Sequence, residues 1–166
     1  MEMFAVSNIG GDGTCTFTDK FDTTLFYIKT EKLESEKSVT SIYDGNNNLL
    51  FLIQYLNSKI QAKKFIVTEA NENLCEVVLT NDNKIVCDKL NISLSRSMCN
   101  KKIKVYQNDK LICNIKCKTL IRQWLQGKYN VDILDENQVN LCVCMAVISF
   151  IAISDEYICK TVRESF

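Results

Sequence analysis

The chain has 166 residues, 46% of them hydrophobic, and its twenty basic and twenty acidic side chains leave no formal net charge. That length fits one domain with a sizeable core, and the charge balance argues against general affinity for nucleic acid. Histidine and proline are both absent; the lack of histidine removes Ser-His-Asp and Cys-His catalysis, histidine bases and every histidine metal site.

The first fourteen residues have an acidic second position and no apolar h-region, so no secretory signal is expected. Nine cysteines in such a chain point to a reduced, cytoplasmic protein rather than a disulfide framework. Cys15, Cys75, Cys87, Cys113, Cys117, Cys142 and Cys144 sit in strand-like or apolar patterns and read as small hydrophobes. Cys99, between polar turns, is the best candidate for an exposed thiol.

In chain order, Phe4, Val6 and Ile9 alternate as a short strand, and Gly10, Gly11, Asp12 and Gly13 form a turn. That turn lacks the spacing and following helix of a phosphate loop. Residues 15–30 are rich in threonine and aromatics, with Asp19-Lys20 as a hairpin turn and a strong strand over 25–28. Residues 29–37 are charged, a loop or a short helical turn, and 39–43 resume strand character. The clearest turn runs from Tyr43 through Asn48. LLFLIQYL at 49–56 favours a buried strand over a helix, and strands continue at 63–68, 74–79 and 84–90, with turns over 69–73 and 80–83.

Residues 91–100 break the rhythm. A strand over 101–106 then turns at Gln107-Asn108-Asp109-Lys110 into a second, in which Leu111, Cys113, Ile115 and Cys117 alternate with Ile112, Asn114, Lys116 and Lys118. After a segment carrying Trp124, YNVDI at 129–133 is the last strand. The run at 141–154 is apolar on every side, so the helix expected over 139–153, roughly 22 Å long, must be buried all round. It falls short of the ~20 residues of a membrane span and has acidic flanks. An echo relates Ile42-Tyr43, turn, LLFLIQ to Val105-Tyr106, turn, LICNIK, which suggests two similar antiparallel modules closing around that helix.

The segment Ser41-Ile42-Tyr43-Asp44-Gly45-Asn46, the hairpin from Val105-Tyr106 to Cys117-Lys118, and YNVDI followed by the apolar run resemble the LURP-one-related proteins of the tubby C-terminal-like superfamily. The likeness spans residues 17–153. It implies a mainly β (α+β) fold, a single domain over 1–166, in which a closed antiparallel barrel of about twelve strands surrounds a central hydrophobic C-terminal helix. Tubby domains are similar in fold and bind phosphoinositides through basic residues; their lipid-binding positions are not carried over to this chain.

No nucleophile–base pair or C-x-x-C stands out, so neither catalysis nor a cofactor is expected. The densest basic group is Lys101, Lys102 and Lys104 with Lys116, Lys118 and Arg122. Alternation turns Lys102, Lys104, Lys116 and Lys118 outward, where they suit an anionic phospholipid headgroup or an acidic protein. The plainer reading is a solubilising strand face that discourages edge pairing. A monomer with no transmembrane segment, cytoplasmic and peripheral to a membrane, is the resulting expectation; the alternative is a structural or protein-interaction module.

Overall fold

A computed structural model describes residues 1–33, 37–56, 63–80, 84–97, 102–120 and 127–164. The strands are β1 (Glu2–Asn8), β2 (Thr14–Thr18), β3 (Thr24–Leu33), β4 (Lys37–Asp44), β5 (Leu49–Leu56), β6 (Lys64–Glu69), β7 (Glu72–Leu79), β8 (Ile85–Cys87), β9 (Ile92–Ser97), β10 (Lys102–Gln107), β11 (Lys110–Leu120) and β12 (Gly127–Ile133). A 3-10 turn follows β8 at Asp88–Leu90, another precedes the helix at Glu136–Gln138, and α1 runs from Val139 to Glu164. Each strand pairs antiparallel with its sequence neighbours, and β1 pairs with β12, so the barrel closes and leaves no edge.

Period-two alternation puts one residue in two inside. Phe17, Ile28, Ile42, Ile53, Phe65, Val67, Val105 and Ile115 are fully buried in the one core cluster that includes α1. From Cys142 to Ala152 the helix is buried on every face, as its lack of a polar stripe requires. Within that stretch the buried hydroxyl of Ser149 donates back to the Met145 carbonyl at 2.9 Å. The segment Glu136–Ser154 is long and apolar enough to cross a bilayer by length and composition, yet 67% of its most apolar window is covered by the barrel.

The helix enters where β12 ends and leaves where β12 begins. Cys142 lies against the Ile112 carbonyl near the start of β11, and Phe150 stacks on Tyr129 near the start of β12. Four hairpins at the entry end share one irregularity. The ladder slips one or two pairs from the turn in β2–β3, β4–β5, β6–β7 and β10–β11, leaving Leu25, Leu50, Leu74 and Ile112 as the extra residues. A bulge bends its strand and re-aims a side chain. Leu25, Leu50 and Leu74 pack against the core as a result, and Ile112 is buried beside Cys113. The echo between Ile42-Tyr43 and Val105-Tyr106 thus reflects a hairpin form used four times.

Several local expectations are corrected. The inward face of β1 is Met3, Ala5 and Ser7, whereas Phe4 is half-buried and Val6 is 48% exposed. Residues 29–33 and 37 are strand rather than loop, because the charged side chains of Lys29 and Glu31 face water, where they form a 2.9 Å ion pair. Ile92 and Leu94 alternate with serines in a strand that the polar composition of 91–100 concealed. The strand expected over 84–90 stops at Cys87, and the turn at 69–73 narrows to Ala70 and Asn71, both at positive φ. β5 is half-buried, with Leu49 47% exposed. Cys99, Trp124, Lys101 and Arg122 lie outside the described residues.

Gly13 has a φ of +83°, and a Cβ there would collide with the Thr30 carbonyl; the Gly13 carbonyl accepts from Thr30 N at 2.7 Å. This position needs glycine on both counts. The GGDG segment is a turn closed by Asp12, which accepts from Thr14 N and Oγ1 at 2.9 and 2.6 Å.

Candidate anion-binding face

Strands β10, β11, β12 and β1 lie side by side in the wall. Ile103, Val105, Ile115, Tyr129, Val131 and Met3 face the core, so the intervening residues point outward. Lys102, Lys104, Lys116 and Lys118 are all exposed, as alternation leads one to expect. Register sets Lys102 opposite Lys116 and Lys104 opposite Asn114. Like charges directly opposite one another destabilise a sheet, by up to about 1 kcal/mol.

Lys118 is the extra residue where the β11–β12 register slips between Cys117 and Thr119. Its Nζ reaches across β12 to within 5.1 Å of the Phe4 ring centre, a cation–π contact. Barrel closure adds three residues that sequence reasoning missed. Lys128 is exposed on β12, opposite Thr119 on one side and Val6 on the other, and Phe4 and Val6 supply apolar surface beside the cations. The alternation of Tyr129, Val131 and Ile133 carried the signal for Lys128. The neighbourhood of β1 had no local signal, since it depends on pairing the two ends of the strand series.

Two side-chain oxygens on this face, Asn114 Oδ1 and Asn130 Oδ1, are shielded from water and accept no hydrogen bond. Buried acceptors are usually paired; the ladder partners of these asparagines include Lys104 and Lys116, both donors. Toward the helix-entry end the face turns acidic, with Asp132 opposite Glu2.

Two other features bear on chemistry. β7 and β8 pair through only two residue pairs, and where they diverge a cavity of about 690 Å³ opens, lined by Cys75, Glu76, Asp88 and Lys89 among others. Burial, reinforced by neighbouring Cys87, pushes the Cys75 thiol up to about 12, so it is protonated at neutral pH and a poor nucleophile. At the barrel mouth a second cavity of about 400 Å³ lies between Phe51, Leu74, Leu90 and the first turn of α1. Among the described residues, no cluster of three or more Cys, Asp or Glu side chains is placed to hold a metal ion.

The family model described as LURP-one-related matches residues 3–150. No functionally curated protein matches the sequence. Among solved structures, that of a protein from Arabidopsis thaliana is similar with a TM-score of 0.55 and 14% identity, covering 91% of each chain. At that identity the likeness speaks for the fold alone. A match over nearly all of the chain, on a barrel closed around its own helix, places this chain in the LURP-one-related family.

Proposed function

We propose that this protein is a non-enzymatic binding module whose lysine face meets anionic phospholipid headgroups at a cytoplasmic membrane surface. One observation supports the reading. Lys102, Lys104, Lys116, Lys118 and Lys128 share an exposed stretch of wall, bordered by outward Phe4 and Val6. Lysines near an anionic leaflet gain about 1 kcal/mol each, and small apolar groups among them suit the headgroup–acyl boundary. On a protein of zero net charge, such attraction is local and weakens with salt.

Vesicle sedimentation tests it. The protein should pellet with vesicles of phosphatidylcholine plus phosphatidylserine at low salt, leave them as salt rises, and ignore phosphatidylcholine alone. K102E/K104E/K116E/K118E should stay in the supernatant with an unchanged circular dichroism spectrum. Wild type that ignores anionic vesicles at low salt defeats the lipid reading. A protein-interaction module would then take its place, a role favoured by Phe21 and Leu134, which are 76% and 53% exposed at the helix-entry end.

A further inference from the structure

We infer that copies of this chain associate end to side, the acidic rim at the helix-entry end of one copy seating on the lysine face of the next. The charges are sorted along the barrel axis. Asp19, Asp22, Asp44, Asp88 and Asp109 sit in or beside the entry-end turns, joined by Asp135 after β12. The cations among them, Lys20, Lys89, Lys110 and the Met1 ammonium, are fewer; Lys110 lies 3.7 Å from Asp135 and the ammonium 3.3 Å from Glu136. Backbone and side-chain donors lower the Asp19 and Asp44 carboxyls, from Thr23 in the first case and Asn48 in the second, so both remain ionised. Lys102, Lys116, Lys118 and Lys128 lie instead toward the end where α1 leaves.

The complement of a helix macrodipole accounts for the sign of each end, since acids suit the N-terminus of α1 and bases its C-terminus. It does not account for two further facts. Each surface holds an in-register like-charge pair, Glu2 opposite Asp132 and Lys102 opposite Lys116, which costs stability in an isolated molecule. Each also exposes apolar side chains beside its charges: Phe21, Leu134 and Met1 at the rim, Val6 at the wall. A second copy satisfies both, because each surface is complementary to the other in sign and shares its apolar content. Zero net charge means that copies do not repel. The contact is heterologous, so it builds a ring or an open chain rather than closing at a dimer.

Sedimentation velocity of the full chain, without lipid, tests this. At about 20 mM ionic strength, where the Debye length is roughly 20 Å, species beyond the dimer should appear with rising concentration. At about 0.5 M, where charges more than a few ångströms apart are screened, only monomer should remain. A wall variant, K102Q/K116Q/K128Q, and a rim variant, F21S/D22N/L134S, should each be monomeric alone. Mixed in equal amounts they should form one-to-one complexes and stop there, since only one compatible joint survives. Should the rim variant lose its cooperative unfolding transition, F21S/D22N, confined to a turn tip, replaces it. Wild type that stays monomeric at low salt overturns the inference, as does association that persists in either variant alone. Neither result depends on whether vesicles bind.

Discussion

The ring of Tyr129 on β12 lies 4.2 Å from that of Phe150 on α1, centroid to centroid, with their planes 26° apart. Phe17 of β2 stacks on Phe150 at 6.3 Å, so Phe150 packs against one stretch of wall, touching the strands on either side of β1. Gly127 makes room for this arrangement, since a Cβ there would sit 2.5 Å from the Tyr129 ring. Gly127→Ala should displace that ring and cost about 1–3 kcal/mol, the usual penalty of overpacking. Phe150→Ala should cost about 3–5 kcal/mol. Urea unfolding measures both, and an unshifted midpoint for Phe150→Ala would remove the helix from the centre of the core.

Ala146 has no exposed surface and lies at the middle of the buried helix. Ala146→Asp places a carboxylate where nothing pairs with it, at a cost of several kcal/mol, and should abolish cooperative unfolding. Ala146→Ser, whose hydroxyl can return to the carbonyl four residues back as Ser149 does, should be tolerated far better. Similar melting curves for the two variants would contradict a dry helix environment.

Asp44 organises the β4–β5 turn. Its Oδ1 accepts from Asn46 N and Asn48 N at 2.9 and 2.8 Å, and Oδ2 accepts from Asn48 Nδ2 at 2.9 Å. These donors, that of the Asn48 side chain foremost, hold its carboxyl below the ordinary 3.8. A carboxyl depressed on folding stabilises fully above its unfolded value, and that contribution fades as pH falls through the lower folded value. The urea-midpoint gap between wild type and Asp44→Ala should therefore be widest near neutral pH and narrow as pH drops below 3.8. A gap independent of pH would mean that the carboxylate charge plays no part.

Cys15, Cys75, Cys87, Cys113, Cys142 and Cys144 are buried and reduced. Desolvation leads the causes raising the Cys15 and Cys144 thiols, and hydrogen bonding with Cys142 leads for Cys113. In a C99S/C159S background, native protein should react with a thiol reagent mainly at half-buried Cys117, and the other six should follow only on unfolding. Fast reaction of Cys144 in native protein would show that the barrel opens far more readily than its packing implies.

The helix was legible because eleven successive buried positions leave no polar stripe, a pattern that only complete enclosure satisfies. The lysine face was half legible. Ile103, Val105, Ile115 and Cys117 fixed which way Lys102, Lys104, Lys116 and Lys118 point, because alternation is local. Phe4 and Val6 were readable as strand but not in their facing, since Met3, Ala5 and Ser7 are a weak apolar set and their inward turn depends on β1 lying against β12. The strand at Ile92–Ser97 was hidden by its polar residues; Ser93 and Ser95 alternate with buried Ile92 and Leu94, on the face where composition carries no structural weight. The bulges at Leu25, Leu50, Leu74 and Ile112 had a faint trace, an apolar residue directly followed by another where alternation calls for a polar one. It became readable only with the ladder register in hand.

The helix that fills the barrel follows all twelve strands in the chain. During synthesis every strand therefore leaves the ribosome before the segment that its inner face is built to cover, and β1 waits longest, for a partner more than a hundred residues downstream. Such long-range closure is slow, and the waiting strands offer unpaired edges and apolar faces to their surroundings. Hairpins between sequence neighbours can form as the strands emerge, so maturation waits on the helix and on the closure of β1 onto β12.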